Sequence, residues 1–230
     1  MSTYKVDALV IRSREFKESD RIVTLYSREC GKISAVAKGV RKSTSKQRAG
    51  VQLYTYADFM LYKGRSLDTI QQAHPREVFL YLWDDYERVC SAGCMAEVLD
   101  AATPDGETDE RVFLLSLKFL FMLEAIDPWM ALAAYGLRLM AHLGYMSGEL
   151  GIEGVQNELG IEGVQNSIVT EGAKSAMRQL GRMPWDQMGR LRLSSSQRRE
   201  ICRGLRSFCE SKVERRLIAW RSFEEDCEES

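Results

Sequence analysis

The spacing of apolar residues changes once along this chain, and that change limits what it can fold into. Over the first 75 residues apolar and polar side chains alternate in short runs broken by turn residues. Successive strand residues point to opposite faces, so runs of this kind make half-buried strands. Five are predicted, at residues 4–11, 21–27, 32–37, 53–62 and 67–74, with turns at Glu29-Cys30-Gly31 and Lys63-Gly64-Arg65. Five short strands in that span suit a small closed barrel. From Arg76 onward the spacing becomes helical, as Phe79, Leu82, Trp83, Tyr86, Val89, Cys90, Met95, Val98 and Leu99 show. Further helices are predicted at residues 108–125 with Thr108 as N-cap, at 127–143 behind Asp127-Pro128, and at 172–181. A last one, at residues 197–223, is capped by Ser194-Ser195-Ser196. The expected fold class is α+β: a five-stranded barrel over residues 1–78, then a helical bundle body over residues 79–230.

Charge is distributed unevenly behind a formal net of -1. Residues 1–80 carry 15 Lys/Arg against 8 Asp/Glu, and residues 182–221 carry 11 against 4, flanking an acidic middle. Between Lys32 and Ala57 there is no Asp or Glu. Within that stretch Lys38, Arg41, Lys42, Lys46 and Arg48 fall in one loop between strands, where cations can follow a phosphate backbone without one fixed geometry. Arg21, Lys32, Lys63 and Arg65 extend the candidate nucleic-acid-binding set around the barrel, and Tyr54, Tyr56, Phe59 and Tyr62 are candidate stacking faces, about half of them expected in the core. Arg198, Arg199, Arg203 and Arg206 on the last helix form a second basic candidate, a groove for an acidic peptide or a further phosphate contact.

Catalytic signatures are missing. Lys42-Ser43 lacks the glycines of a phosphate-binding loop, no Gly-x-Ser-x-Gly, His-Glu-x-x-His or Cys-x-x-Cys occurs, and the two histidines, His74 and His142, stand apart. The expectation is a non-enzyme without cofactors that acts by binding. Cys90 and Cys94 lie one helical turn apart but among core positions, and the six cysteines are irregularly spaced, so reduced thiols and no metal are expected. The longest apolar run is interrupted by Lys118 and Glu124 and no cleavable N-terminal segment is seen, so a cytoplasmic protein with no membrane contact is expected. The nine-residue Glu-Leu-Gly-Ile-Glu-Gly-Val-Gln-Asn at 149–157 recurs at 158–166. An odd period turns a strand over, and nine residues reverse a helix face, so a duplicated loop is expected and not a repeat architecture.

Tyr4-Lys5-Val6-Asp7-Ala8-Leu9-Val10-Ile11, Phe16-Lys17-Glu18-Ser19-Asp20-Arg21-Ile22-Val23, and Gly31-Lys32-Ile33 leading to Ala37-Lys38-Gly39-Val40-Arg41 resemble the bacterial RecO family of recombination-repair proteins. Leu143-Gly144-Tyr145 and the closing helix are similar too. The resemblance implies an N-terminal OB-fold and a helical body. It also implies binding of single- and double-stranded DNA, annealing of complementary strands, and help in loading recombinase onto strands covered by single-strand-binding protein. The implied partners are RecR and the C-terminal tail of single-strand-binding protein. Many members carry a four-cysteine zinc module after the Leu-Gly-Tyr segment, whereas residues 144–201 here hold no Cys. A loop insertion at about residues 146–170 is expected in its place. From the residues alone, an RNA-binding barrel protein or a non-catalytic scaffold remains open.

Overall fold

A computed structural model describes residues 2–146, 161, 164 and 169–226. Five strands close into a barrel in the order β1-β2-β3-β5-β4: β1 (Thr3–Phe16), β2 (Asp20–Ser27), β3 (Gly31–Ala37), β4 (Tyr56–Tyr62) and β5 (Asp68–Glu77). The arrangement is consistent with the expected OB-fold. Neighbouring strands are antiparallel except β3 and β5, which pair in parallel over Ala35↔Asp68, Val36↔Thr69 and Ala37↔Ile70. Alternate positions fill the interior with Val6, Ala8, Val10, Val23, Leu25, Phe59, Leu61 and Ile70. The first strand runs five residues further than its apolar alternation suggests. A register shift between Val10 and Arg12 carries it past the core, where polar residues extend the hairpin to Phe16. The fourth starts later than expected, because residues Ala49–Val51 form a 3₁₀ turn and Tyr54 adopts φ 65°.

The compact barrel unit takes in residues up to Leu80 together with Thr103–Leu117, and so reaches beyond the boundary expected at residue 78. Local contacts explain this. The Gly106 N–H donates to the Lys32 carbonyl at 3.1 Å, Arg28 pairs with Glu110, and Phe113 meets Tyr56 edge-on at 6.1 Å between centroids. Gly31, at φ +64°, lies so close to this segment that a Cβ would fall 2.0 Å from the Glu107 carbonyl oxygen.

The second unit comprises Tyr81–Ala102 and residues from Lys118 onward. Its helices are α1 (Tyr86–Ala102), the second half of α2 (Glu110–Met122), α3 (Pro128–His142), α4 (Glu171–Arg182), α5 (Ser195–Val213) and α6 (Ile218–Asp226). The 3₁₀ segment Leu80–Asp84 precedes α1 where helix was expected from residue 79. Asp127 caps α3 as expected, accepting from the Trp129 and Met130 N–H groups at 3.1 Å each, and Ser194 and Gln197 form a reciprocal cap on α5. On α2 the cap is Asp109, not Thr108: its carboxylate accepts the Val112 N–H at 3.1 Å. The single long C-terminal helix expected over 197–223 is two. Glu214 turns left-handed at φ 52° and ends α5, and the Glu97 carboxylate takes the first N–H groups of α6, from Ile218 at 2.8 Å and Ala219 at 2.9 Å. The duplicated segment at 149–166 lies outside the described residues except for Ile161 and Val164, both buried. Among the described residues, no helix is long and apolar enough to cross a membrane.

Every residue of α3 from Trp129 to Ala141 is buried, including Arg138. Its guanidinium sits 4.3 Å from the centre of the Trp185 ring and donates to the carbonyls of Leu180 at 3.3 Å, Gly181 at 3.2 Å, and Met183. Leu180 and Gly181 lie in the last turn of α4, where carbonyls have no helical N–H to accept from, and Met183 follows it, so Arg138 acts as an internal C-cap. Replacing it leaves several buried acceptors unsatisfied, at about 1–3 kcal/mol each. Arg138→Met is therefore expected to lower unfolding stability by at least about 3 kcal/mol, measured by urea denaturation followed by tryptophan fluorescence.

Candidate nucleic-acid interface

The basic loop leaves β3 at Ala37 and is held against the β1–β2 hairpin rather than hanging free. At Gly39 the chain turns at φ +64°, and its N–H donates to the Asp20 carboxylate at 2.8 Å. Next, Val40 tucks into the barrel core. The Arg41 N–H donates to the Ser19 carbonyl at 3.0 Å, while its guanidinium reaches the Glu18 carbonyl at 3.1 Å and the Glu15 carboxylate at 3.2 Å. Arg48 closes the loop on itself, donating to the carbonyls of Arg41 at 2.9 Å and Lys42 at 3.1 Å, and Gln47 ties it to the Gln71 carbonyl at 2.5 Å.

These contacts divide the nine barrel cations singled out by sequence. Arg41 and Arg48 shape the loop. Lys38, Lys42, Lys46 and Arg65 are exposed, and none has a carboxylate partner among the described residues. Lys32 is different: its side chain is only 11% exposed and lies 3.3 Å from Asp105, so its charge is covered and balanced. Arg21 is half-buried and donates to the Ser13 hydroxyl at 2.7 Å. Lys63 stays exposed but lies 3.6 Å from Asp68 and 5.8 Å from the centre of the Tyr4 ring.

Of the four aromatic candidates, Tyr54 and Phe59 are buried, and Tyr62 is half-buried. Tyr56 packs on Phe113 and accepts a hydrogen bond from Arg76 at 2.8 Å. The aromatic that the strand pattern missed is Phe16, exposed at the hairpin tip with Arg14 and Lys17 beside it in sequence. The alternation Arg12-Ser13-Arg14-Glu15-Phe16 was the available signal, but with Phe16 as its single apolar residue it carries no burial pattern to mark a strand.

The C-terminal arginines also separate. Arg206 is 13% exposed and clamped between Glu224 at 3.0 Å and Glu210 at 2.8 Å, and Arg198 bonds Asp127 at 2.8 Å. Burial pushes the Glu224 carboxyl above its usual range, and Arg206 draws it partly back. Both arginines hold helices together, which leaves Arg199 and Arg203 as the exposed members of the set.

Elsewhere on the barrel, a cleft of about 470 Å³ is lined by Lys5, Asp7, Glu29, Asp58, His74 and Arg76, among others. Its three carboxylates make it a poor seat for a polyanion. Arg76 bridges Asp58, at 2.6 and 2.8 Å, and Asp7, at 3.2 Å. Burial raises the Asp7 carboxyl above its ordinary value, whereas the hydrogen bond from Arg76 lowers that of Asp58.

Residues 1–79 match the family described as Recombination protein O N terminal, and residues 83–147 that described as Recombination protein O C terminal. The DNA repair protein RecO of Desulfitobacterium hafniense (strain Y51) is 41% identical over 242 residues, covering 96% of this chain and 89% of that protein. DNA repair protein RecO of Pelotomaculum thermopropionicum is 45% identical over 145 residues, 63% of this chain and 57% of that one. For the protein of the same name from Heliobacterium modesticaldum the identity is 43% over 145 residues, 63% and 53% of the two chains.

Opposite shifts of the two aspartates give opposite consequences for stability. Asp58, lowered, contributes stability that is present above its unfolded pKa and lost as pH falls through its folded one. Asp7, raised, is favourable below its unfolded pKa, and that contribution is lost as pH rises through the folded one. At neutral pH, Asp58→Asn is thus expected to lower the melting temperature and Asp7→Asn to leave it unchanged or raise it, as thermal melts at pH 7 would show. Substituting Arg41→Ala together with Asp20→Ala should free the basic loop, with trypsin cleaving after Lys42 or Lys46 several-fold faster in limited digestion while the melting temperature changes little.

Proposed function

The chain belongs to the RecO family of DNA repair proteins, and on that premise we propose that it is a recombination mediator. It binds single- and double-stranded DNA, anneals complementary strands, and helps load recombinase onto strands covered by single-strand-binding protein. The observation that carries this reading is the pinned loop, which holds Lys38, Lys42 and Lys46 outward in a stretch without a single carboxylate. Annealing is opposed by repulsion between two polyanions. Cations carried on a loop tied to the barrel neutralise phosphates, release counterions and keep two strands at high local concentration, with no bond made or broken.

RecR and the acidic tail of single-strand-binding protein complete the reading as partners. For the tail, Arg199 and Arg203 are the members of the C-terminal set exposed to solvent, where a carboxylate can reach them. Lys32 drops out of the proposed DNA contacts because its charge is covered and balanced by Asp105.

The test is annealing of two complementary oligonucleotides coated with single-strand-binding protein, comparing the parent with K38E/K42E/K46E/R65E. Arg41 and Arg48 are kept, so that loss of function is not loss of loop shape. The parent is expected to accelerate annealing, and the variant to lose that acceleration, bind all sequences more weakly and show a salt slope shallower by about 1 per contact removed. No acceleration by the parent would overturn the reading.

A further inference from the structure

Phosphate contacts alone leave the bases unread and unheld, and the barrel surface offers one side chain suited to them. Among the described residues of β1–β5, Phe16 is the large apolar side chain with the greatest exposure, at 36%. It ends β1 at the tip of the β1–β2 hairpin, opposite Asp20 across the three-residue turn Lys17-Glu18-Ser19. Nothing in the core requires an aromatic there: the register shift at Val10/Arg12 has already carried the strand beyond the barrel interior.

The tip is built, not frayed. Lys17 holds a left-handed φ of 54°, a conformation that a side chain with a Cβ adopts at a cost and keeps only where its surroundings impose it. Those surroundings are the basic loop: Asp20 accepts the Gly39 N–H at 2.8 Å, and Glu18 and Ser19 offer their carbonyls to Arg41 at 3.1 and 3.0 Å. The same bonds that shape the loop therefore fix the position of Phe16 relative to Lys38 and Lys42. The Lys17 ammonium lies over the Phe16 ring, 5.4 Å from its centre, and Arg14 is exposed two residues earlier on the strand. An aromatic ring with one face against a cation, flanked by exposed Arg14 and Lys17 as well as by Glu18, and with Glu15 paired to Arg41 at 3.2 Å, has the chemistry of a stacking platform for an unpaired base whose phosphates lie on the lysines of the neighbouring loop.

The geometry points to Phe16 as a base-stacking residue for single-stranded DNA, locked to the 38–48 loop so that one nucleobase is gripped while its neighbouring phosphates are neutralised. This rests on the DNA-binding reading above and sharpens it: a duplex has its bases stacked and paired, so Phe16 favours single strands, while the lysines serve both forms. The residue would hold a strand open for pairing with its complement.

Phe16 is exposed, so its replacement spares the core. The experiment measures affinity of the full chain for a single-stranded oligonucleotide, for the same oligonucleotide with a run of abasic sites, and for the duplex, using F16A, F16W and K38E/K42E/K46E. F16A is expected to weaken single-strand binding by roughly 5- to 100-fold, with the salt slope unchanged and duplex affinity altered less than about twofold. F16W should keep or improve it. On the abasic oligonucleotide, parent and F16A should bind alike. Equal loss on single strand and duplex, or undiminished single-strand binding by F16A while the lysine variant fails, would overturn the role of Phe16 and leave the DNA-binding reading standing. If the lysine variant also binds like the parent, it is that reading which fails, and Phe16 with it.

Discussion

Three residue pairs close the barrel, and the candidate site depends on them. The parallel ladder Ala35↔Asp68, Val36↔Thr69 and Ala37↔Ile70 joins β3 to β5, which with the antiparallel β1–β4 pairing is one of the two connections that sequential hairpins do not supply. Asp68 anchors its end: barely exposed, it accepts the Tyr4 hydroxyl and the Gly64 N–H at 2.9 Å and lies 3.6 Å from the Lys63 ammonium. Once this seam is made, the chain after Ala37 must cross the barrel end to reach β4. The basic loop is that crossing, and closure sets where its cations emerge.

The loop and the helical unit use arginine in the same way. Arg41 and Arg48 reach carbonyls and a carboxylate of the loop and hairpin; Arg138 caps a neighbouring helix from within the core; Arg206 lies between two glutamates. A planar guanidinium with five donors can satisfy several acceptors at once, so it suits sites where backbone must be held in an unusual path. Lys38, Lys42 and Lys46 carry single, strongly hydrated charges on flexible stems and stay in water. In this loop the arginines build the scaffold and the lysines present the charge, so a substitution of either type tests a different property.

Legibility followed the same division. Alternation marked every barrel strand because the inward residues, from Val6 to Ile70, are apolar and small enough to read. It failed on the outer end of β1, where both faces are polar, and so missed the hairpin tip and Phe16. Helix caps at Asp127 and Ser194 were readable because the capping side chain is local. The break between α5 and α6 was not, because the Glu97 carboxylate that caps the restart comes from a distant helix, and an Arg-rich run looks equally helical on both sides of it. Counting positive charges does not distinguish paired from unpaired ones: Lys32 and Arg198 find carboxylates at positions remote in sequence, and Arg206 finds Glu224 as well as the nearby Glu210.

The sequence by itself determined the barrel, the helical body and the carboxylate-free loop, because hydrophobic period and local charge are properties of neighbouring residues. Tertiary structure alone decided which of those charges have carboxylate partners, that the loop is tied to the β1–β2 hairpin, and that an aromatic is exposed at the hairpin tip. Each of these depends on a bond or a burial between residues far apart in the chain, such as Asp20 with Gly39 or Lys32 with Asp105, and no local pattern encodes that distance.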